Sequence, residues 1–398
     1  MSGPLAGLKV LDIATIVAAP FAATLLADYG AEVVKVEMPG RGDGARSFPP
    51  FKDGKPLWWK VTNRNKKFIT LDLRTDEGAA LFKRLLPRFD VLIENFRPGT
   101  LDAWGLGKEV LWSLQPRLVI LRATGFGQDG PYRDRPGFAR IFEAMSGLTY
   151  ITGEPDGEPM HAGYPIGDAI GGLFGALGVL AALWKRAAHP AAVGEEIDLS
   201  LTEASFRLLE FLPVEYDQLG VVRGRTGNRN AYSAPAAVYR TKDDHWVTLA
   251  GSTNALFANN CRAIGRPDLI EDPRCHSNAT RVQHARELNS IFVEWCATHT
   301  LDEVLRAFQQ AEGTLAPIYS IEQVMSDPQM QARHAVTRVP DPDFGSIAMP
   351  NIVPRFSDSP SEVRNVGGDI GQDNAEIFEE WLGLSRPELD ALCGKGVI

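Results

Sequence analysis

The feature that most constrains the fold is an alternation in the first third of the chain. Short runs rich in β-branched and other apolar residues at 9–13, 32–37, 68–73, 91–94 and 118–122 are separated by stretches such as 21–29 and 77–89, whose apolar residues recur at helical spacing. Parallel strands need crossover connections, usually helices, so this alternation predicts an α/β sheet wound on both faces. Pro20 suits the first turn of the first helix and Gly30 its stop. A long helix over 168–186, a strand over 197–201 and a helix over 202–219 extend the unit, predicting a large first domain over 1–220. The Gly/Arg/Asn-rich stretch from Gly220 to Asn230 reads as a linker. Beyond it, strands at 237–239 and 246–250 and helices at 254–264, 282–298 and 301–312 predict a smaller α+β domain over 221–334. The Pro- and Asp-rich segment 335–398, with a last helix at 374–382, is expected to return to the large domain.

A chain of 398 residues with net charge -9 and no Lys/Arg-dense run lacks the electrostatic footprint of a nucleic-acid or anionic-membrane protein. The four cysteines, Cys261, Cys275, Cys296 and Cys393, form no C-x-x-C pair, which favours neither a zinc site nor a disulfide framework and fits a cytoplasmic location. Met1-Ser2-Gly3-Pro4 has no basic run, and Lys9 and Asp12 interrupt the apolar stretch behind it, so no signal peptide is expected. The longest apolar run, from Ala169 to Trp184, is Gly-rich and short for a membrane span, and is expected as a buried helix.

Gly125-Phe126-Gly127-Gln128-Asp129-Gly130 fits G-x-G-x-x-G, yet a dinucleotide site needs a helix to start there. Pro131-Tyr132-Arg133-Asp134-Arg135-Pro136 follows instead, leaving the loop amides for some other anion or carbonyl. No nucleophile elbow, H-E-x-x-H, Walker A loop or EF-hand spacing is present. His245, His276 and His284 show no metal-ligand spacing, so no metal is expected. Asp168 stands at the start of the apolar helix, just before Gly171, Gly172 and Gly175. It can act as a helix N-cap. It can equally be a nucleophile kept ionised by the positive end of the helix dipole. The glycines admit either a ligand or close helix packing.

Ordered motifs along nearly the whole chain make it resemble the family III CoA-transferases, which include the formyl-CoA:oxalate and carnitine enzymes. They comprise Pro4-Leu5-Ala6-Gly7-Leu8-Lys9-Val10-Leu11-Asp12, Ala27-Asp28-Tyr29-Gly30-Ala31-Glu32, Asn63-Arg64-Asn65-Lys66-Lys67, Glu94-Asn95-Phe96-Arg97-Pro98-Gly99, Thr124 to Pro131, Ala144-Met145-Ser146-Gly147, the Asp168 segment and Asn278-Ala279-Thr280-Arg281-Val282. The resemblance implies a Rossmann-like large domain built from both chain ends, a small domain, and an interlocked homodimer. It places the catalytic aspartate at Asp168. It implies CoA contacts at Ile16, Val17, Ala18, Leu71, Asn95, Phe96 and the stretch Thr124, Gly125, Phe126 and Gly127. Arg41 and Arg46 are candidates for CoA phosphates or an acid substrate. A glycine loop shielding the intermediate would fall at Gly251 within 250–254, where only one glycine stands. Met38, Ala103 and Asn230 replace residues frequent in the family.

Such an enzyme needs no cofactor beyond CoA and acyl-CoA as substrates. Asp168 would carry the acyl group as an anhydride and then hold CoA as a thioester, with amides of the Gly125–Gly130 loop as oxyanion donors. The related α-methylacyl-CoA racemases carry a His followed by Asp where this chain has Phe138-Ala139, which favours transfer; a non-catalytic acyl-CoA-binding protein is the alternative of another class. Likeness to the dicarboxylate branch points to succinyl-CoA as donor, and Arg140 is a candidate for the distal carboxylate of a dicarboxylic acid.

Overall fold

The computed structural model describes residues 3–189 and 191–398; Met1 and Ser2, part of the N-terminal stretch read above, lie outside the described residues. Six strands form the main sheet: β1 (Lys9–Asp12), β2 (Glu32–Glu37), β3 (Lys66–Thr70), β4 (Val91–Glu94), β5 (Val119–Thr124) and β6 (Glu195–Ser200). Their order is β3-β2-β1-β4-β5-β6 and every pairing is parallel. Strand order therefore reverses between β1 and β4, which makes a crevice at the carboxyl ends of these two strands.

Both faces of the sheet are covered, so its strands read as continuous apolar runs. On one face Val10, Val33, Ile93 and Leu121 pack with Ala22 and Leu26 of α1 (Ala18–Asp28) and Ala176 and Val179 of a 23-residue helix over Ile166–Ala188. On the other, Leu11, Val34, Leu92 and Ile120 pack with Phe82 and Leu85 of α2 (Asp76–Leu85), and Ile377, Phe378, Val397 and Ile398 join them from the C-terminal segment. Between α2 and the long helix lies a short helix, α3 (Ala139–Met145), so the long helix is α4. A further short helix, α5 (Leu201–Phe206), follows β6.

Several boundaries differ from expectation for identifiable reasons. Helix α1 starts at Ala18, so Pro20 is its third residue, still in the turn whose N–H groups lack helical partners. Strand β3 begins at Lys66, whose backbone registers with Val33 of β2 and whose buried amine donates to the Asp12 carboxylate at 2.9 Å. The helix expected over 202–219 is two, α5 and Phe211–Leu219, since Pro213 cannot donate to a continuing helix. The helix expected over 282–298 divides into Asn278–Gln283 and Ala285–Ala297, and the one expected over 374–382 is a π-helix over Glu376–Trp381, followed by an unexpected α-helix over Arg386–Gly394. An antiparallel hairpin of Val336–Asp341 with Gly345–Pro350 was missed, as Pro340 masks its alternation.

By length and composition α4 would suffice to cross a membrane, contrary to the length expected for it. Close packing accounts for its glycines, but the helix is half-buried rather than buried as expected, since Leu173, Leu177 and Trp184 are exposed. A side-chain carbon on Gly172 would lie 2.6 Å from the Phe21 ring and 2.9 Å from the Ala18 carbonyl oxygen; one on Gly171 would lie 2.2 Å from Leu201. These glycines serve helix packing.

The chain divides into two compact units, one running to Leu148 and continuing with His161–Gly220 and Gln331–Ile398, the other comprising Thr149–Met160 and Val221–Met330. The stretch Thr149–Met160, which the sequence reading placed in the first domain, thus groups with the second unit. That unit has an antiparallel sheet of β7 (Ala236–Arg240), β8 (Trp246–Ala250) and β9 (Leu315–Pro317), in the order β9-β8-β7. Tyr239, Val247, Leu249, Phe292, Val304 and Phe308 form its core.

Candidate active site

The turn after β1 is strained and held in place by charge. Ile16 has φ of 74°, in the left-handed region that a β-branched residue rarely occupies. Its N–H donates to Asp43 at 3.0 Å, and Asp43 in turn accepts from Lys35 at 2.9 Å. Lys35 also reaches the Ala14 carbonyl oxygen. Asp12, fully buried, faces Lys66 at 2.9 Å and Lys35 at 3.7 Å. Burial outweighs the carboxylates around Lys66 and pushes its pKa down to about 8. From β4, Asn95 grips the same turn by accepting from the Thr15 N–H and donating to the Thr15 carbonyl, both at 2.8 Å.

This turn, the segment after β4 and the end of β5 wall a cavity of about 320 Å³ at the reversal of strand order, where open α/β sheets bind their ligands. Asp168 lines it. The expectation that Asp168 caps α4 is corrected: the helix starts at Ile166, so Asp168 is its third residue, and its side chain makes no cap hydrogen bond. The Gly167 N–H is taken by Glu143 of α3 instead, at 3.0 Å through Oε1, while Oε2 of Glu143 meets Nδ1 of His161 at 3.0 Å. Glu143 therefore satisfies one orphan donor of α4 and fixes the residue beside Asp168.

Asp168 is 7% exposed, and its carboxylate has no hydrogen-bond or ion-pair partner among the described residues. Burial first, then the charge of Glu143, pushes its pKa up to about 6, against the expectation that its place in the helix alone would keep it ionised. Tyr164 is raised as well, by burial and then by Asp168. The result is a carboxylate that is still largely charged at neutral pH yet poorly solvated.

Of the other expected residues, Ile16, Val17, Ala18, Asn95, Phe96, Thr124 and Gly125 line the same cavity. Asn95 spends its amide on Thr15 and shapes the wall. The Thr124 hydroxyl is buried without a hydrogen-bond partner among the described residues. Phe126 and Gly127 are not lining residues; the Gln128 N–H donates to Asp198 at 3.0 Å, so that amide of the glycine loop is already committed. Leu71 lines a separate, smaller cavity with Met38 and Phe96. Arg46 forms a two-point pair with Glu37, at 2.7 Å for each bond, and stacks 3.9 Å above Trp59, so it is a structural residue. Arg41 and Arg140 are exposed and line no wall of this cavity. Gly251 is buried in the second unit, where a side-chain carbon would lie 3.0 Å from Asn260. The fully buried Arg281 ties the loop beside it, donating to Ser252 O at 2.9 Å and to the Asn254 side chain at 2.8 Å.

Sequence reasoning missed Arg97, Arg133 and Arg135 on the cavity wall, and Glu143 and His161 at the start of α4. The run of charge and proline between Pro131 and Pro136 was a visible signal for Arg133 and Arg135. Glu143 and His161 gave none, since folding alone brings them together.

Comparison with known proteins identifies the family. A sequence model described as CoA-transferase family III matches residues 5–374. The chain is 43% identical to a succinyl-CoA–D-citramalate CoA-transferase of Chloroflexus aurantiacus, over 99% of this chain and 98% of that one. It is 41% identical to the beta subunit of a succinyl-CoA–L-malate CoA-transferase from the same organism, covering 99% and 98%. The crystal structure of a CAIB/BAIF family protein from Brucella suis superimposes with a TM-score of 0.82 at 31% identity, covering 96% of this chain and 100% of that one.

Proposed function

Since this chain belongs to CoA-transferase family III, we propose that it moves CoA from succinyl-CoA to a small dicarboxylic acid, with Asp168 as the acyl carrier. The observation that carries this reading is the buried, unpartnered Asp168 carboxylate on the wall of the strand-reversal cavity. A carboxylate with no internal partner is free to attack, and poor solvation lowers the cost of shedding water before it does.

In the proposed cycle an Asp168 oxygen attacks the thioester carbonyl, the C–S bond breaks, and a mixed anhydride and CoA thiolate result. The thiolate then attacks the Asp168 carbonyl, which releases the donor acid as its carboxylate and leaves an aspartyl-CoA thioester. The acceptor carboxylate attacks that thioester and expels the thiolate, which takes the acyl group from the second anhydride and restores Asp168. Every step exchanges one anion for another, so no net proton transfer is required. The residues Ile16 to Ala18 and Asn95 to Phe96 form the wall for the pantetheine arm, and the unsatisfied Thr124 hydroxyl is a donor available to the reacting carbonyl.

Dicarboxylates are favoured because both Chloroflexus relatives are named for pairing succinyl-CoA with such an acid. A homodimer is also part of the proposal: Leu173, Leu177 and Trp184 of α4 are 55%, 60% and 75% exposed, an apolar face that a second copy would cover. Incubation with succinyl-CoA and a panel of mono- and dicarboxylic acids, followed by mass spectrometry of the CoA thioesters, tests the activity. New thioesters of dicarboxylic acids are expected; hydrolysis to free CoA without transfer would contradict it.

A further inference from the structure

The four charged residues on the Asp168 cavity wall are Arg97, Arg133, Arg135 and Asp168. Arg133 is paired with Asp134 at 3.4 Å, whereas Arg97 and Arg135 have no carboxylate partner among the described residues. Arg135, exposed on the outer side of that wall, is in addition stacked on a neighbouring ring. Its guanidinium carbon lies 3.6 Å from the centre of the Tyr132 ring, and its backbone N–H donates to the Tyr132 carbonyl at 2.9 Å, which fixes the turn that carries the side chain. Tyr132 packs edge-on against Phe126, which packs edge-on against Phe142 of α3, with centroid separations of 6.0 and 5.9 Å. The loop is pinned to that same ring at both ends, because a side-chain carbon on either Gly125 or Gly137 would come within 2.5 Å of it.

We propose that Arg135, with its guanidinium plane set by Tyr132, is the binding site for the distal carboxylate of a dicarboxylic substrate in the Asp168 cavity. This rests on the transferase reading above and deepens it. Stacking occupies one face of the guanidinium and leaves its edge N–H groups for a planar, two-point contact with a carboxylate. The reacting carboxyl must lie at Asp168, so a second carboxylate on the same small molecule needs a cation elsewhere on that wall. Arg97 adjoins Asn95 and Phe96, on the segment assigned to the pantetheine arm, and Arg135 stands on the separate loop leading into α3. A CoA phosphate has the same anionic chemistry and is the competing source.

The test is Arg135→Met, with Arg135→Lys beside it. In a ping-pong scheme kcat/KM for the acceptor reports only the half-reaction that the acceptor enters, so a dicarboxylate and a monocarboxylate of equal chain length can be compared directly. Arg135→Met is expected to lower kcat/KM for the dicarboxylate by roughly tenfold to a hundredfold, the range for losing a charge-assisted contact, with the monocarboxylate little changed. Arg135→Lys should recover part of the loss. Equal effects on both acids, or none, overturn the assignment. So does a raised KM for acyl-CoA that disappears with the 3′-dephospho thioester, which would give Arg135 to the phosphate. If wild type transfers CoA to no acid at all, the transferase reading fails rather than the role of Arg135.

Discussion

Asp168 is costly to ionise where it stands, and that cost is open to measurement. Between the ordinary carboxyl value of 3.8 and about 6, the folded protein retains a proton that the unfolded chain has released. Stability therefore falls as pH rises through that window and stays lower above it. Asp168→Asn removes the penalty, so the variant should be inactive yet more stable than wild type at pH 7, by on the order of 3 kcal/mol. Urea unfolding at pH 7 and pH 4 checks this, with the difference shrinking at the lower pH; a variant less stable at pH 7 would contradict it. Activity needs the ionised form, so kcat/KM for acyl-CoA should decline below about pH 6. Glu143→Gln takes away a charge that raises Asp168, and should shift this acidic limb to lower pH while keeping an acceptor for the Gly167 N–H. Asp168 stood out in sequence because it precedes a long Gly-rich apolar run. Its electrostatic coupling to Glu143 did not, because that residue comes from α3, which folding alone brings to the start of α4. Arg46 shows the converse: a candidate for an anion site by spacing, but committed to Glu37 in the fold.

At the scale of elements, the strands of the large sheet were legible because parallel strands buried on both faces leave unbroken apolar runs between helical patterns. Strand ends were less so: β3, expected over 68–73, runs over Lys66–Thr70, starting at a lysine whose buried amine meets the distant Asp12. The glycines of α4 were ambiguous in sequence between ligand approach and packing, and contacts with Phe21, Ala18 and Leu201 assign them to packing. Gly172→Ala should then push α4 away from α1, destabilising the fold by about 1–3 kcal/mol and displacing Asp168, so that kcat falls beyond what the loss of folded protein explains. Thermal unfolding alongside kcat per folded enzyme would show it. An unchanged melting temperature would mean that α4 is not packed as described.

For the whole molecule, the resemblance supplied what periodicity could not, namely that two chain ends build one sheet-containing unit. Hydrophobic spacing identifies helices and strands but carries no information on which distant segment completes a core, as Ile377, Phe378, Val397 and Ile398 do. The exposed face of Leu173, Leu177 and Trp184 belongs to the same scale. Sedimentation should find a dimer at micromolar concentration, and Leu177→Glu should weaken it or abolish folding with it; a fully active monomer would exclude the second copy. The central claim, that Asp168 becomes covalently acylated, is tested most directly by trapping. Wild type incubated with acyl-CoA and hydroxylamine, then digested and mapped by mass spectrometry, is predicted to carry a hydroxamate at Asp168 alone, because an anhydride or aspartyl thioester reacts far faster than an ordinary carboxylate. An adduct on another residue, or continued transfer with no Asp168 adduct, would contradict it.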